Sequence, residues 1–130
     1  MEMLVEIHSV LRWVVLVVGV GALVLAGLAA TGTRPWDRVA DRAAFFFPLA
    51  MDVQALVGIV LWVLGQRWTT VYLGWIHPLA MIAALGLAHA GRARSERADA
   101  SRDRGRQAVI FFGASLVVVL LAIPLYSWPL

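Results

Sequence analysis

Four times in 130 residues the sequence runs apolar for about the width of a bilayer, and between the runs it turns to arginine. The first run, 14–30, carries no charged side chain at all. About 20 helical residues cross roughly 30 Å of hydrocarbon. Segments at about 6–30, 43–65, 74–90 and 108–127 meet that length, the third only if it starts near Gly74. Lipid offers the backbone no hydrogen-bond partners, so each segment must satisfy its own peptide groups and is expected to be a helix. The connections, 31–42, 66–73 and 91–107, are short, which makes neighbours antiparallel. The expectation is a single all-α domain over 1–130, an integral-membrane, up-down four-helix bundle.

Composition agrees: 62% of residues are hydrophobic and 15% charged, where soluble domains have about half and a quarter. The absence of cysteine excludes disulfides, thiolate metal sites and cysteine-bound iron–sulfur clusters. A net charge of +3 could suit nucleic acid, but the arginines sit in the connections and line no groove. The expected partner is the lipid bilayer, with no nucleic acid. Nine of the eleven arginines fall in two connections: Arg34, Arg38 and Arg42 in the first, and Arg92, Arg94, Arg97, Arg102, Arg104 and Arg106 in the third. Only Arg12 and Arg67 belong to the other side. The positive-inside rule makes the arginine-rich connections cytoplasmic and both termini extracytoplasmic. Glu2 and Glu6 precede the first run with no basic residue before Arg12, so the run is read as a retained span, not a cleaved signal. Trp62, Trp68, Tyr72, Trp75, Tyr126 and Trp128 are expected at the outer interface, and Trp36 with Phe45, Phe46 and Phe47 at the inner one.

Polar groups inside spans are costly and usually face other helices, which makes them the place to look for chemistry. Here they are His8, Arg12, Asp52, Gln54, His77, Ser115 and, near a helix end, His89. At 1.5 Å per residue, His8 and His77 each lie about 3–5 Å inside the outer edge, and Asp52 and His89 each roughly 20 Å in. Helical spacing from His8 gives Arg12, Val15, Gly19, Ala22 and Ala26; from His77 it gives Ala80, Met81, Ala84 and Ala88. Such small-residue faces serve close helix packing. They would equally admit a flat macrocycle beneath two facing imidazoles, the axial ligands that b-type haem iron takes. Arg12, and also Arg67, would then meet the anionic propionates. Pro78 argues for a different geometry, because a residue before proline tends to leave the helical region, making His77 a cap. A carboxylate as deep as Asp52 must be neutral, paired or beside water. His89 is its expected partner, either as a structural hydrogen bond between the second and third helices or as a proton-accepting pair beside a quinone or a second haem. Gln54 points away from Asp52 and is expected to bond another neighbour.

The ordered motifs His8-Ser9-Val10-Leu11-Arg12-Trp13, Asp52-Val53-Gln54 with Gly58, His77-Pro78-Leu79-Ala80-Met81 and His89-Ala90-Gly91-Arg92 resemble a family of small four-helix bacterial membrane proteins described as cytochrome b-like. The resemblance runs along most of the chain. It implies haem b between helices in a bacterial cytoplasmic membrane, with His8, His77 and His89 as ligand candidates. The chain departs from it at Asp52, where some relatives carry histidine, so no ligand from the second helix is carried over.

Three functions follow as expectations. The first is a membrane electron-transfer protein, as a small carrier or a subunit of a larger redox complex, with haem near the outer face between the first and third helices. The second is a cofactor-free accessory subunit of a larger membrane complex, and the third a proton-coupled element using Asp52 and His89. The motifs of soluble enzymes (phosphate loop, nucleophile elbow, metalloprotease helix) are absent, so no catalytic activity of its own is expected.

Overall fold

A computed structural model describes residues 2–123. Among them the chain is all-helical: α1 (Glu2–Ala30), α2 (Arg38–Leu64), α3 (His77–Arg97) and α4 (Ser101–Ala122), with a 3-10 turn at Arg67–Thr69 and a π-helical turn at Tyr72–Ile76. Four helical stretches are long and apolar enough to cross a membrane, α3 together with the π turn that leads into it. Each helix packs chiefly on its neighbours in sequence, and α4 closes back on α1, so α1 and α3 stand across from each other.

Local chemistry sets the helix ends. α1 stops at Ala30 because Gly32 takes a left-handed φ of 76°, while the Thr31 and Arg34 amides bond back to Gly27 and Leu28. Asp37 caps α2, its side chain accepting from the Ala40 amide, so α2 begins five residues earlier than its apolar run. The third connection also differs from the expected 91–107. α3 continues to Arg97 and α4 starts at Ser101, leaving three residues, 98–100, between them. Alanine and arginine are strong helix formers, and an Arg92–Glu96 ion pair of 2.9 Å one turn apart adds support. The polar stretch therefore winds into two helix ends. α4 ends at Ala122; Ile123, before a proline, is extended at ψ 122°. The expected continuation to 127, with Tyr126 and Trp128, lies outside the described residues.

The core is built from small side chains around one aromatic pair. Phe47 and Phe112 are fully buried and meet edge to face with centroids 5.2 Å apart. Phe47 is thus a core residue and not part of the inner aromatic belt, whereas Phe45 and Phe46 are half exposed. Around the pair lie Ala44, Met51, Ala84, Ala88, Ala108 and Leu116. On α1 the buried positions are Val15, Leu16, Gly19, Ala22, Ala26 and Ala29, the small-residue stripe below His8. The α1 and α4 backbones approach closely at Gly105, where a β-carbon would stand 2.4 Å from the Ala30 nitrogen and 2.5 Å from the Ala26 carbonyl oxygen.

Candidate functional site

The ends of several elements converge at the histidine end. α1 brings His8 and Arg12, and α2 brings Gln54, Gly58 and Trp62. The π turn brings Tyr72, α3 opens with His77, and α4 offers the carbonyl of Ala122. Despite Pro78, His77 stays helical at φ −61°, ψ −50°. The wider π turn allows this, because the His77 amide bonds five residues back to Tyr72. Proline has no N–H to give the Gly74 carbonyl four residues earlier. Trp62 Nε1 donates to that oxygen instead, at 2.7 Å. Gly74 itself must be glycine: a β-carbon there would lie 2.3 Å from the Arg67 carbonyl oxygen.

The His8 and His77 rings lie 6.4 Å apart, centre to centre, with planes at 76°. They come from α1 and α3, the helices that face each other across the fold. His77 Nδ1 lies 3.1 Å from the Ala122 carbonyl oxygen. A carbonyl can only accept, so Nδ1 carries a proton, and in the neutral ring the lone pair is then on Nε2. That carbonyl belongs to the last turn of α4 and has no partner within its own helix; the Tyr72 hydroxyl donates to it as well. On the other side Gln54 Nε2 donates to the His8 carbonyl at 2.8 Å, tying α2 to α1. A β-carbon at Gly58 would sit 3.4 Å from His8 Cε1, so the His8 ring rests where α2 has no side chain. His8 Nδ1 and Gln54 Oε1 are buried with no hydrogen-bond partner among the described residues. Leaving such an atom unpaired costs about 1–3 kcal/mol. Arg12 lies within electrostatic reach of both rings, and Arg67 within reach of His8.

These observations bear on what the pair could hold. Among the described residues no three His, Cys, Asp or Glu side chains gather as a metal cluster, so a bare ion would find only two ligands. Haem iron asks the protein for two and takes the rest from the macrocycle. Two metal–imidazole bonds of roughly 2 Å, plus about 1 Å from each nitrogen to its ring centre, span about 6 Å. The observed separation matches that spacing. It also falls within the range of a plain edge-to-face ring pair, roughly 4.5–7 Å. The bonded Nδ1 of His77 is compatible with both: a ligating imidazole typically donates its other N–H to a carbonyl or carboxylate, and a histidine that only ties helix ends together makes the same bond.

A second polar group joins α2 to α3 toward the arginine-rich end. His89 Nε2 lies 2.7 Å from Asp52 Oδ1, which leaves His89 only Nδ1 for any second haem. Nearer the end Arg92 donates to Asp41 at 2.8 Å and pairs with Glu96, while Trp36 Nε1 reaches Asp41 at 3.3 Å. Hydropathy alone places Asp41 in a connection and hides its role, although it lies three helical turns before Asp52 on nearly the same face. Ser115, fully buried, donates to the Ala84 carbonyl at 2.7 Å and joins α4 to α3. An apolar groove of about 280 Å³ between α1 and α2, floored by Val15, Val18, Ala50 and Val53, shares no residue with either polar group. No family model, curated protein or solved structure matches the chain.

Proposed function

We propose that the chain is a multi-pass b-type haem protein of a bacterial cytoplasmic membrane, an up-down bundle with both termini outside, that passes electrons as a small carrier or as a subunit of a larger redox assembly. The observation that carries this reading is the pairing of His8 and His77 across opposite helices at ligation spacing. Haem, when bound, supplies a one-electron iron couple. The chain's own residues do the rest. His8 and His77 would hold the haem iron, and the Ala122 carbonyl fixes the tautomer and rotation of the His77 ring. Arg12 and Arg67 offer forked donors to propionates at the water interface. Gln54 holds α1 against α2 beside His8, and Gly58 keeps the approach to the ring open. Asp52 and His89, in this reading, hold a proton and link α2 to α3, within reach of a quinone in the cytoplasmic leaflet.

A reduced-minus-oxidised absorption spectrum of the purified full chain is the test. We expect b-type bands that disappear in His8→Ala and in His77→Ala and survive in His89→Ala. A flat spectrum from haem-replete cells, or bands unchanged in the His8→Ala/His77→Ala double variant, overturns the assignment. One observation favours a second reading. Tyr72 and His77 both bond the last carbonyl of α4, which would staple the helix ends of a cofactor-free accessory subunit; that protein would be colourless and lose thermal stability in Tyr72→Phe.

A further inference from the structure

We propose that the face of α2 and α3 bearing Asp52 and His89 is covered by a second copy of this chain, related by a two-fold axis. The inference rests on the membrane-spanning reading and is independent of haem. The stretch Tyr72–Arg97 is the least apolar of the four spans, with a hydropathy of 1.4 against 2.5 for α1. It is also the least covered within the chain, 17% against 39% for α4. A single copy would therefore turn its least lipid-like helix to lipid. On the same side the His89 and Asp52 side chains remain 52% and 44% exposed. Asp52 lies about 16 Å along α2 from Asp41, well inside the apolar stretch. An ionisable side chain facing hydrocarbon is costly and normally turns toward a protein partner. Their mutual bond uses one imidazole nitrogen and one carboxylate oxygen, and no further hydrogen bond of either group is present among the described residues.

The occupant follows from charge complementarity. An acid beside a base on one face is complementary to the same face rotated by 180°, because each Asp52 can then approach the other copy's His89. An apolar tail would answer neither group, and an anionic headgroup only one. Ile82, Gly86 and His89 fall on one stripe of α3. A β-carbon at Gly86 meets nothing within 4 Å among the described residues, so a larger residue there fits a single copy and obstructs a neighbour.

The chain has no cysteine, which makes the test direct. Single-cysteine variants Ile82→Cys and Gly86→Cys, with Val20→Cys on exposed α1 as control, are oxidised mildly in membranes. A disulfide-linked pair of chains is expected at Ile82 or Gly86 and not at Val20. In lipid nanodiscs the wild type should have the mass of two chains, and Gly86→Leu that of one, with unchanged helical circular dichroism. Three results overturn the proposal: a single-chain mass for the wild type, equal cross-linking at all three positions, or a cross-link to a protein of different mass. Release of the chain by an alkaline carbonate wash would instead defeat the membrane-spanning reading itself.

Discussion

At the start of α2, Asp37 has extended backbone (φ −97°, ψ −172°), which carries its carboxylate over the first turn. One oxygen accepts from the Ala40 amide at 2.9 Å and the other from Arg34 at 2.8 Å. The Ala40 bond first, and the Arg34 bond after it, favour the ionised form and hold this carboxyl below the usual aspartate range. A lowered folded-state pKa means that the unfolded chain binds the proton more readily. The contribution is fully present above the unfolded value and is lost as pH falls through the folded one. The thermal midpoint of the protein in detergent should therefore drop on acidification below the ordinary aspartate range. Asp37→Asn, which keeps a capping oxygen but no charge, should show a shallower drop, and Asp37→Ala should already melt earlier at neutral pH. Circular-dichroism melts at stepped pH check this; an asparagine variant that follows the wild type at every acidic pH would remove the charge from the explanation.

Between α1 and α4 the fit is set by backbone against backbone at Gly105. Gly105→Ala would drive a β-carbon into the Ala26 and Ala30 main chain. Backbone cannot swing aside as a side-chain tip can, so the expected loss is about 1–3 kcal/mol. Gly21→Ala is the contrasting case, since among the described residues nothing lies within 4 Å of a β-carbon there and replacing a mid-helix glycine gains up to about 1 kcal/mol. Denaturation of the two variants side by side measures both signs, and equal effects would mean that helix propensity, not close approach, governs these glycines. The small-residue stripe running from Gly19 through Ala22 to Ala26 was legible in the sequence because periodicity survives whatever the helix packs on. Helix ends were less so. Hydropathy alone stops α3 near Ala90, while the Arg92–Glu96 pair and the helix-forming alanines carry it to Arg97. The π turn was illegible, because it depends on Trp62 reaching the Gly74 carbonyl from another helix. Phe47 shared the fate of its neighbours Phe45 and Phe46 in a sequence reading that could not tell which ring turns inward.

Across the whole molecule, the pairings follow from direction. His8 near the start of α1, Gly58 late in α2, His77 at the start of α3 and Ala122 at the end of α4 can share one site only if successive helices run in alternating senses. The histidine pair was visible as two imidazoles at matching depth, but the carbonyl that orients one of them was not, since a main-chain acceptor leaves no trace in residue identity. The same alternation puts Arg38, Arg94 and Arg97 at the opposite end from His8 and His77, which turns charge into a prediction about sides. Arginine resists translocation, so the turn joining α3 to α4 should stay cytoplasmic and the turn joining α2 to α3 should be outside. With no native cysteine to interfere, Thr70→Cys and Asp99→Cys, both at exposed positions in those turns, report the orientation to a membrane-impermeant maleimide. In intact cells Thr70→Cys should label nearly completely and Asp99→Cys hardly at all until the membrane is permeabilised. The reverse pattern would put the histidine site at the cytoplasmic face and overturn the proposed orientation.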